Sequence, residues 1–447
     1  MSLLTSQDLI DAGYEPGLLF KALLAKVAEY EARGIADAKY ALKLLKRDVA
    51  PPPVKFAMRE KPSPLAEAIL TTTKEEKENV TAVRKQMADL LKTPVIARGA
   101  IMPDACPAGP GTAVTPVGGA IMVENAIIPS AHSSDICCSM YATFYEERSS
   151  VAKELDALVS STRFGPEHRH FDDLVFDPVL DENVWLNRFL TGLCDRARTQ
   201  IADQGDGNHF AYIGEVDVSE PMLAVLRLAG HGDLASCFEL GENGAPKRYR
   251  VLVTHHGSRS LGAHVYKRGQ IAAEKHVARI GQHIPAAAAW LDAGSDTGRD
   301  YWHALQYVAR WTKANHRAIH RRFLERIGGK ATAELGNEHN FVWQRGDTFF
   351  HGKGATPAWK DDQGRPQLGL IPLNMAEPIL LVLGADREEF LSFAPHGAGR
   401  NLSRTALGKK FRDEAARRTA IERGTDGIDV RWFCGKPDLS ETPVAYK

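Results

Sequence analysis

Apolar positions in the first 48 residues recur at helical spacing. The stretch "PGLLFKALLAKVAEYEARG" opens on Pro-Gly and closes at Gly34, and "ADAKYALKLLK" follows, so residues 5–48 predict helices. "APPPVKF" and "EKPSP" then break the pattern with closely spaced prolines, which favour a stiff, extended segment. This divides the chain into a helical appendage over 1–49, a Pro-rich linker over 50–64 and a body over 65–447.

The body opens with a charged helical pattern at about 73–92. Between 94 and 145 the pattern turns β-like in "PVIARGAIM", "GTAVTPVGGAIM" and "CSMYATFY", separated by Gly and Pro turns. Helical periodicity returns at about 150–160 and 181–203, with strands predicted at 210–217 and 249–255. A long helical region covers 260–327. Strands and loops follow in "NFVWQ", "TFFHG", "LGLIPL", "ILLVLG" and "EEFLSFAP", and a last helix is expected over about 403–423. Strands and helices mix without a regular βαβ alternation, so the expected class is α+β.

Composition narrows the function classes. Apolar residues make up 44% and charged residues 25% of 447, the balance of an ordinary globular protein. No apolar run approaches the roughly 18 residues a membrane span needs, and the N-terminus lacks a cleaved-signal pattern, so a cytoplasmic protein without a membrane partner is expected. Lys+Arg and Asp+Glu number 56 each, so any nucleic-acid footprint must be a local patch. The six cysteines are scattered, which suits free thiols in a reducing compartment. If Cys137 or Cys138 has a chemical use, a thiolate on a metal is the expected one.

Candidate chemistry sits in short Gly- or Asn-containing stretches beside predicted strands. They are "HSSDICCSM" (132–140), "GDGNHF" (205–210), "THHGSRSLG" (254–262) and "GNEHNF" (336–341). A single histidine in such a loop is more often a hydrogen-bonded loop residue than a ligand, and Ser258 reads equally well as a helix cap. Four repeats of the same donor types form a mixed hard–soft set that suits Mn, Zn, Fe or Co better than Mg or Ca. A fifth stretch, "FAPHGAGRNLSR" (393–404), places His396 in a permissive backbone with Arg400 and Arg404 nearby. From the residues alone the reading is metal-assisted phosphoryl or nucleotidyl chemistry.

In order along the chain, "MPDACPAG" with "PVGGA", then "DICCSM", "GNHF", "HHGSR", "EHN", "HGKGAT", "HGAGRNLSR" and the terminal "PVAYK" resemble the motifs of the RtcB family of RNA ligases, over roughly residues 63–447. The resemblance implies an RtcB-like mixed fold around a metal site. It implies joining of an RNA 3′-phosphate or 2′,3′-cyclic phosphate to a 5′-hydroxyl with GTP and two Mn²⁺ ions, in RNA repair or tRNA splicing. Asp135, Cys138, His209, His255 and His339 then become metal ligands, with the Cys138 thiolate shared, and His396 becomes the nucleophile that carries the nucleotide. Nucleotide contacts are expected from Asn208, Phe210, Asn340, Asn374, Met375, Gly397, Ala398, Gly399, Arg400 and Lys447. Ser258, Arg259 and Lys353 are further candidates for RNA or nucleotide phosphate.

The chain departs from the family pattern at Cys106, where a histidine is usual, and at Tyr212, where an acid that reads guanine is usual. It also departs in "LNMAEPIL" (373–380), which is bulkier and adds Glu377. Guanine specificity is therefore left open. RNA could meet "YVARWTKANHRAIHRRFLER" (307–326), where Arg310, Lys313, Arg317 and Arg321 recur at helical spacing near Trp311, His316 and His320, although a solvated basic face is the commoner explanation. The alternatives are a metal-dependent phosphodiesterase that opens cyclic phosphates without ligation, and a non-catalytic RNA-binding repair factor. The natural RNA, the oligomeric state, the role of residues 1–48 and the need for an activating protein partner are not encoded in these motifs.

Overall fold

Two antiparallel-rich sheets carry the body. The computed structural model describes every residue except 1, 15–16, 52–55, 70, 72, 110 and 402–403. A four-stranded antiparallel sheet runs in the spatial order Ala331–Glu338, Ser139–Tyr145, Lys247–His256, Phe210–Val218. A five-stranded sheet runs Asn340–Arg345, Thr348–Lys353, Val117–Glu124, Ile96–Cys106, Leu65–Glu67, with only the last pair parallel. The sheets are joined through His339, which separates Glu338 of one from Asn340 of the other. Helices and strands mix as an α+β fold, as expected.

Strand alternation sorts the four-stranded sheet into two faces. Tyr145, Leu252 and Ile213 pack with Leu158 of the helix Val151–Ser161 and with Phe323 and Leu324 of the long helix Asp296–Ile327. Met140, Ala142, Phe144, Val251 and Val253 pack on the opposite side with Ala333 and Leu370. The largest cluster joins Met87 and Leu90 of the helix Lys74–Leu90 to Ile101, Ile121 and Val123 of the five-stranded sheet. It extends to Val265 of the helix Arg259–Ile280 and to Tyr301 and Trp311 of the long helix.

Several element boundaries differ from the sequence expectation. The stretch 181–203 is helical only over Cys194–Gln200, because Asn187 turns the chain and Gly192 takes a φ of 71°. The region 260–327 is two helices with a connector over 281–295, and Ser295 caps the second through Gly298. The last helix is split into Arg404–Lys410 and Glu414–Gly424, with Asp413 capping the second. Its expected start at Ser403 lies outside the described residues.

Helices form over Ser6–Asp11, Leu18–Ala32 and Ala38–Asp48, as the periodicity predicts, with a core of their own formed by Leu9, Tyr14, Leu23, Val27, Ala41 and Leu45. The 50–64 stretch is tied to the body along part of its length. Phe56 and Ala57 pair with Gly281 and Gln282, and the Ser63 amide donates to the Leu91 carbonyl.

The basic face expected over 307–326 also needs correction. Trp311, His316 and His320 are buried rather than displayed. Arg310 pairs with Glu182, and Lys313 pairs with Glu338. The imidazoles are spent on a hydrogen-bond chain beneath the sheet. Thr143 donates to Glu334 at 3.1 Å, so it accepts from His320 Nδ1 at 2.7 Å. His320 Nε2 then accepts from Thr254 at 2.8 Å, and Thr254 accepts from His316 Nδ1 at 2.6 Å. His316 Nε2 lies 3.0 Å from the Ser139 hydroxyl, whose one proton also serves the Cys137 carbonyl at 3.0 Å. Both rings are neutral, since burial pushes His320 down to about 3 and His316 well below its ordinary value.

Candidate metal centre and facing histidine

The five expected donors gather at one end of the four-stranded sheet. Cys138 immediately precedes the strand Ser139–Tyr145 and His209 precedes Phe210–Val218, while His255 is the penultimate residue of Lys247–His256 and His339 follows Ala331–Glu338. The register places His255 opposite both Phe210 and Met140, and Glu338 opposite Ser139, so antiparallel pairing brings two strand starts and two strand ends together. Cys138 and His255 fall on the face away from the long helix, by the same alternation that turns Ser139, Thr254 and His256 toward it.

The donor atoms form two triads that share one sulfur. Asp135, Cys138 and His209 make one set and Cys138, His255 and His339 the other, with ligand-type atoms in each set within 4.8 Å of one another. Cys138 Sγ lies 3.2 Å from His255 Nε2 and 3.8 Å from His209 Nε2. His209 Nε2 is 2.8 Å from Asp135 Oδ2, and the Nε2 atoms of His255 and His339 face each other at 3.1 Å.

Local backbone choices create this geometry. Cys137 takes a positive φ of 58°, and its amide donates to the Asn340 carbonyl at 2.7 Å, while the His339 amide donates to the Cys138 carbonyl. Gln204 donates from one amide nitrogen to the carbonyls of Phe210 and His255 at 2.7 and 2.8 Å, which clamps two ligand-bearing strands. Gly257 is needed because a Cβ there would stand 2.1 Å from the Asp135 carboxylate.

The electrostatics of the cluster favour a cation. Burial pushes His255 down to about 3 and His339 well below its ordinary value, so both are neutral imidazoles with available lone pairs. Burial would raise Asp135, but the His209 ring and hydrogen bonds from His209 and Cys138 outweigh it and hold the carboxyl down to about 2. Burial and the Asp135 charge raise the Cys138 thiol well above its ordinary value. Two facing Nε2 atoms and a thiol among neutral rings satisfy one another poorly as hydrogen-bond partners, whereas a divalent ion would draw on all of them and stabilise the thiolate. The residues therefore fit divalent metal binding, with Cys138 common to both triads. The set of one carboxylate, one sulfur and three imidazoles suits a transition metal.

His396 faces this cluster. It follows the strand Phe393–Pro395, and its ring centroid lies 4.9 Å from that of His339. Its Nδ1 is 2.6 Å from Oδ2 of Asp104, which is 1% exposed. A buried carboxylate accepts from Nδ1–H, so the other ring nitrogen, Nε2, keeps its lone pair. Asp104 is the candidate site residue that the sequence motifs do not single out. It lies inside the quoted "MPDACP" stretch but was given no role, because nothing in one dimension links it to a residue 292 positions away. Gly399 lets the His396 loop close on it: φ is +76°, and a Cβ would stand 2.3 Å from the Asp104 carbonyl oxygen. Asp104→Asn should slow His396 chemistry by on the order of 10²- to 10⁴-fold by favouring the wrong tautomer, while metal content measured by elemental analysis stays unchanged.

The other expected residues are distributed more widely. Asn208 is exposed beside His209, and Phe210 packs on the His255 ring at 5.2 Å between centroids. Asn340 holds the Gly354 amide at 2.7 Å. Asn374 accepts from the Ala376 amide at 3.0 Å, so its side chain shapes its own turn next to half-buried Met375. Gly397 and Ala398 follow His396, with the Pro372 carbonyl 3.0 Å from where a Gly397 Cβ would lie. Arg400 is directed toward the C-terminal segment, donating to the Ser440 carbonyl at 2.7 Å and stacking on Tyr446. Lys447 donates to the carbonyls of Pro103 and Ala105 at 2.9 and 2.8 Å, on either side of Asp104. Ser258 is fully buried and makes no side-chain cap, and Arg259 is turned inward to the Gly165 carbonyl. Lys353 is half-buried next to Gly354, and burial lowers its ammonium below the ordinary value. Tyr212 packs among the apolar residues on the ligand-bearing face.

Fold and site together define an α+β protein with a thiol-bridged pair of metal-type triads beside a carboxylate-held histidine. A family model described as tRNA-splicing ligase RtcB matches residues 187–447, and the chain belongs to the RtcB family. That match includes His209, His255, His339 and His396, and begins after Asp135 and Cys138. A tRNA-splicing ligase RtcB of Archaeoglobus fulgidus is 27% identical over 284 residues, covering 57% of this chain and 55% of that protein. A tRNA-splicing ligase RtcB of Aeropyrum pernix is 25% identical, covering 56% and 54%. An RNA-splicing ligase RtcB of Mycobacterium tuberculosis is 26% identical over 320 residues, covering 65% and 69%. The chain spans about half the length of the first two relatives.

Proposed function

We propose that this protein joins RNA ends, sealing a 3′-phosphate or 2′,3′-cyclic phosphate to a 5′-hydroxyl through a nucleotide carried on His396. The observation that carries the reading is the placement of His396, with Nδ1 held by Asp104 and the ring beside His339 of the second triad. Asp135, Cys138, His209, His255 and His339 would hold two divalent ions, Mn²⁺ by the family's precedent, which would supply charge stabilisation for phosphoryl transfer.

Nε2 of His396 attacks the α-phosphorus of a nucleoside triphosphate, forming a P–N bond as the bond to pyrophosphate breaks. A 2′,3′-cyclic end is opened by water at phosphorus with cleavage of the bond to the 2′-oxygen, leaving a 3′-phosphate. An oxygen of that phosphate then attacks the nucleotidyl phosphorus and His396 leaves. The 5′-hydroxyl finally attacks the 3′-phosphate, losing its proton as the nucleoside monophosphate departs. GTP is the proposed donor, although Tyr212 and the 373–380 loop replace the usual base-reading residues. Two observations support cytoplasmic work on RNA in repair or tRNA splicing: the relatives' names and the six free cysteines.

The deciding experiment incubates the full chain with Mn²⁺ and α-labelled GTP or ATP, in parallel with a cyclic-phosphate RNA. Label on His396, chased into ligated RNA, is the expected result. Hydrolysis of the cyclic phosphate without label from either nucleotide would replace the ligase with a phosphodiesterase.

A further inference from the structure

A surface recess lies away from the donor cluster. It has a volume of about 810 Å³ and combines the last turns of the long helix with the irregular segment 163–176. Its wall carries the guanidinium groups of Arg163, Arg169, Arg321 and Arg322 against the carboxylates of Asp173 and Glu325. A second recess of about 350 Å³ continues it past Arg322 to Arg326.

The wall carries more guanidiniums than carboxylates, and, Arg169 apart, they are not ion-paired as the cations farther up the same helix are, where Arg310 pairs with Glu182 and Lys313 with Glu338. Arg322 and Arg326 are anchored by the neutral carbonyls of Ser161 and Ser160, at 2.9 and 3.3 Å. Among the described residues neither they nor Arg163 and Arg321 form an ion pair. Only Arg169 is spent, on buried Asp203. Phe176, also on the wall, is 67% exposed, and neighbouring Phe171 is 58% exposed. Exposed rings interleaved with unpaired guanidiniums are what a single strand of nucleic acid requires, with bases on the rings and phosphates on the cations. A double helix would hide its base faces and leave Phe176 without a partner.

The recess is also joined to the donor cluster through a few residues. Arg169 holds Asp203 at 2.5 Å, and the next residue, Gln204, clamps the carbonyls of His255 and Phe210. Arg259, four residues after His255, donates to the Gly165 carbonyl at 2.7 Å on the recess side.

We propose that this recess binds single-stranded RNA leading to the sealed end, with phosphates on Arg163, Arg321 and Arg322 and a base stacked on Phe176. The proposal rests on the RNA-ligase reading, and its test separates the two. Binding of a fluorescent single-stranded RNA with a 3′-phosphate would be measured against salt for the full chain, the double variant Arg163→Glu/Arg321→Glu, and Phe176→Ala. Nucleotide labelling of His396 without RNA would be followed in the same samples.

The double variant should weaken binding at least ~10-fold and reduce the slope of log Kd against log salt by about 1 to 2. Phe176→Ala should weaken it by roughly 5- to 100-fold. His396 labelling should be unchanged in both, and the charge-keeping pair Arg163→Lys/Arg321→Lys should bind nearly as the parent, which separates lost charge from lost folding. Unchanged affinity and salt slope in the double variant would overturn the proposal. So would equal losses on duplex RNA, or competition by inorganic polyphosphate with Phe176→Ala silent, which would mark a general anion site. Absence of label in the parent protein with these binding losses intact would sink the ligase reading and leave the RNA site standing.

Discussion

Replacing His396 by alanine should abolish covalent nucleotide labelling and slow RNA sealing by at least ~10³-fold, because the proposed P–N bond forms at its Nε2. The effect should be confined to chemistry. His396 is half-buried at the edge of the cluster and contributes no atom to either donor triad, so metal content should match the parent. Its main polar partner is Asp104, and alanine would leave that carboxylate buried without its ring donor. Some loss of thermal stability, about 1–3 kcal/mol, should accompany the loss of activity. Gel detection of labelled protein and single-turnover ligation would check the first effect, elemental analysis the second. Labelling that survives in His396→Ala would place the nucleophile elsewhere.

Cys138→Ser should have the second large effect and should act on both metal positions at once. Cys138 is the one residue common to the two triads, and its sulfur lies near His209 on one side and His255 on the other. A hydroxyl keeps the volume but is far harder to deprotonate than a thiol, so the bridging anion disappears. Loss of outer-shell partners alone costs 10- to 100-fold in metal affinity, and loss of a bridging ligand should exceed ~10²-fold. Metal bound per chain should fall toward zero at micromolar free metal, and activity should fall with it. His339→Ala gives the control: it removes one donor from one triad and should weaken one position while the Asp135–Cys138–His209 set retains its own. Full metal occupancy in Cys138→Ser would rule out a sulfur bridge.

The clustering of these five metal-type side chains was legible because each sits in a short, chemically distinctive stretch beside a predicted strand, and because those stretches resemble one family's motifs in order. Asp104 was not legible in its role, because the contact that defines it spans most of the chain. The basic stretch 307–326 was misleading for a different reason. Side-chain type does not reveal which stripe of a helix is covered, and here Trp311, His316 and His320 lie on the covered stripe, the indole N–H donating to the Ala197 carbonyl and the imidazoles paired to Thr254, Thr143 and Ser139. The broken helix over 181–203 shows the same limit, since periodicity outlived the turn that Asn187 and Gly192 impose.

By itself the sequence determined the class of fold, the identities of the metal-type donors and the nucleophile-type histidine, since periodicity and residue chemistry are local properties of the chain. Only the tertiary structure decided that the donors form two triads around one sulfur, that His396 is held by Asp104, and that the uncancelled cations lie at one end of the long helix. These are consequences of strand register and of which faces pack together, and both are set by contacts between residues far apart in the chain.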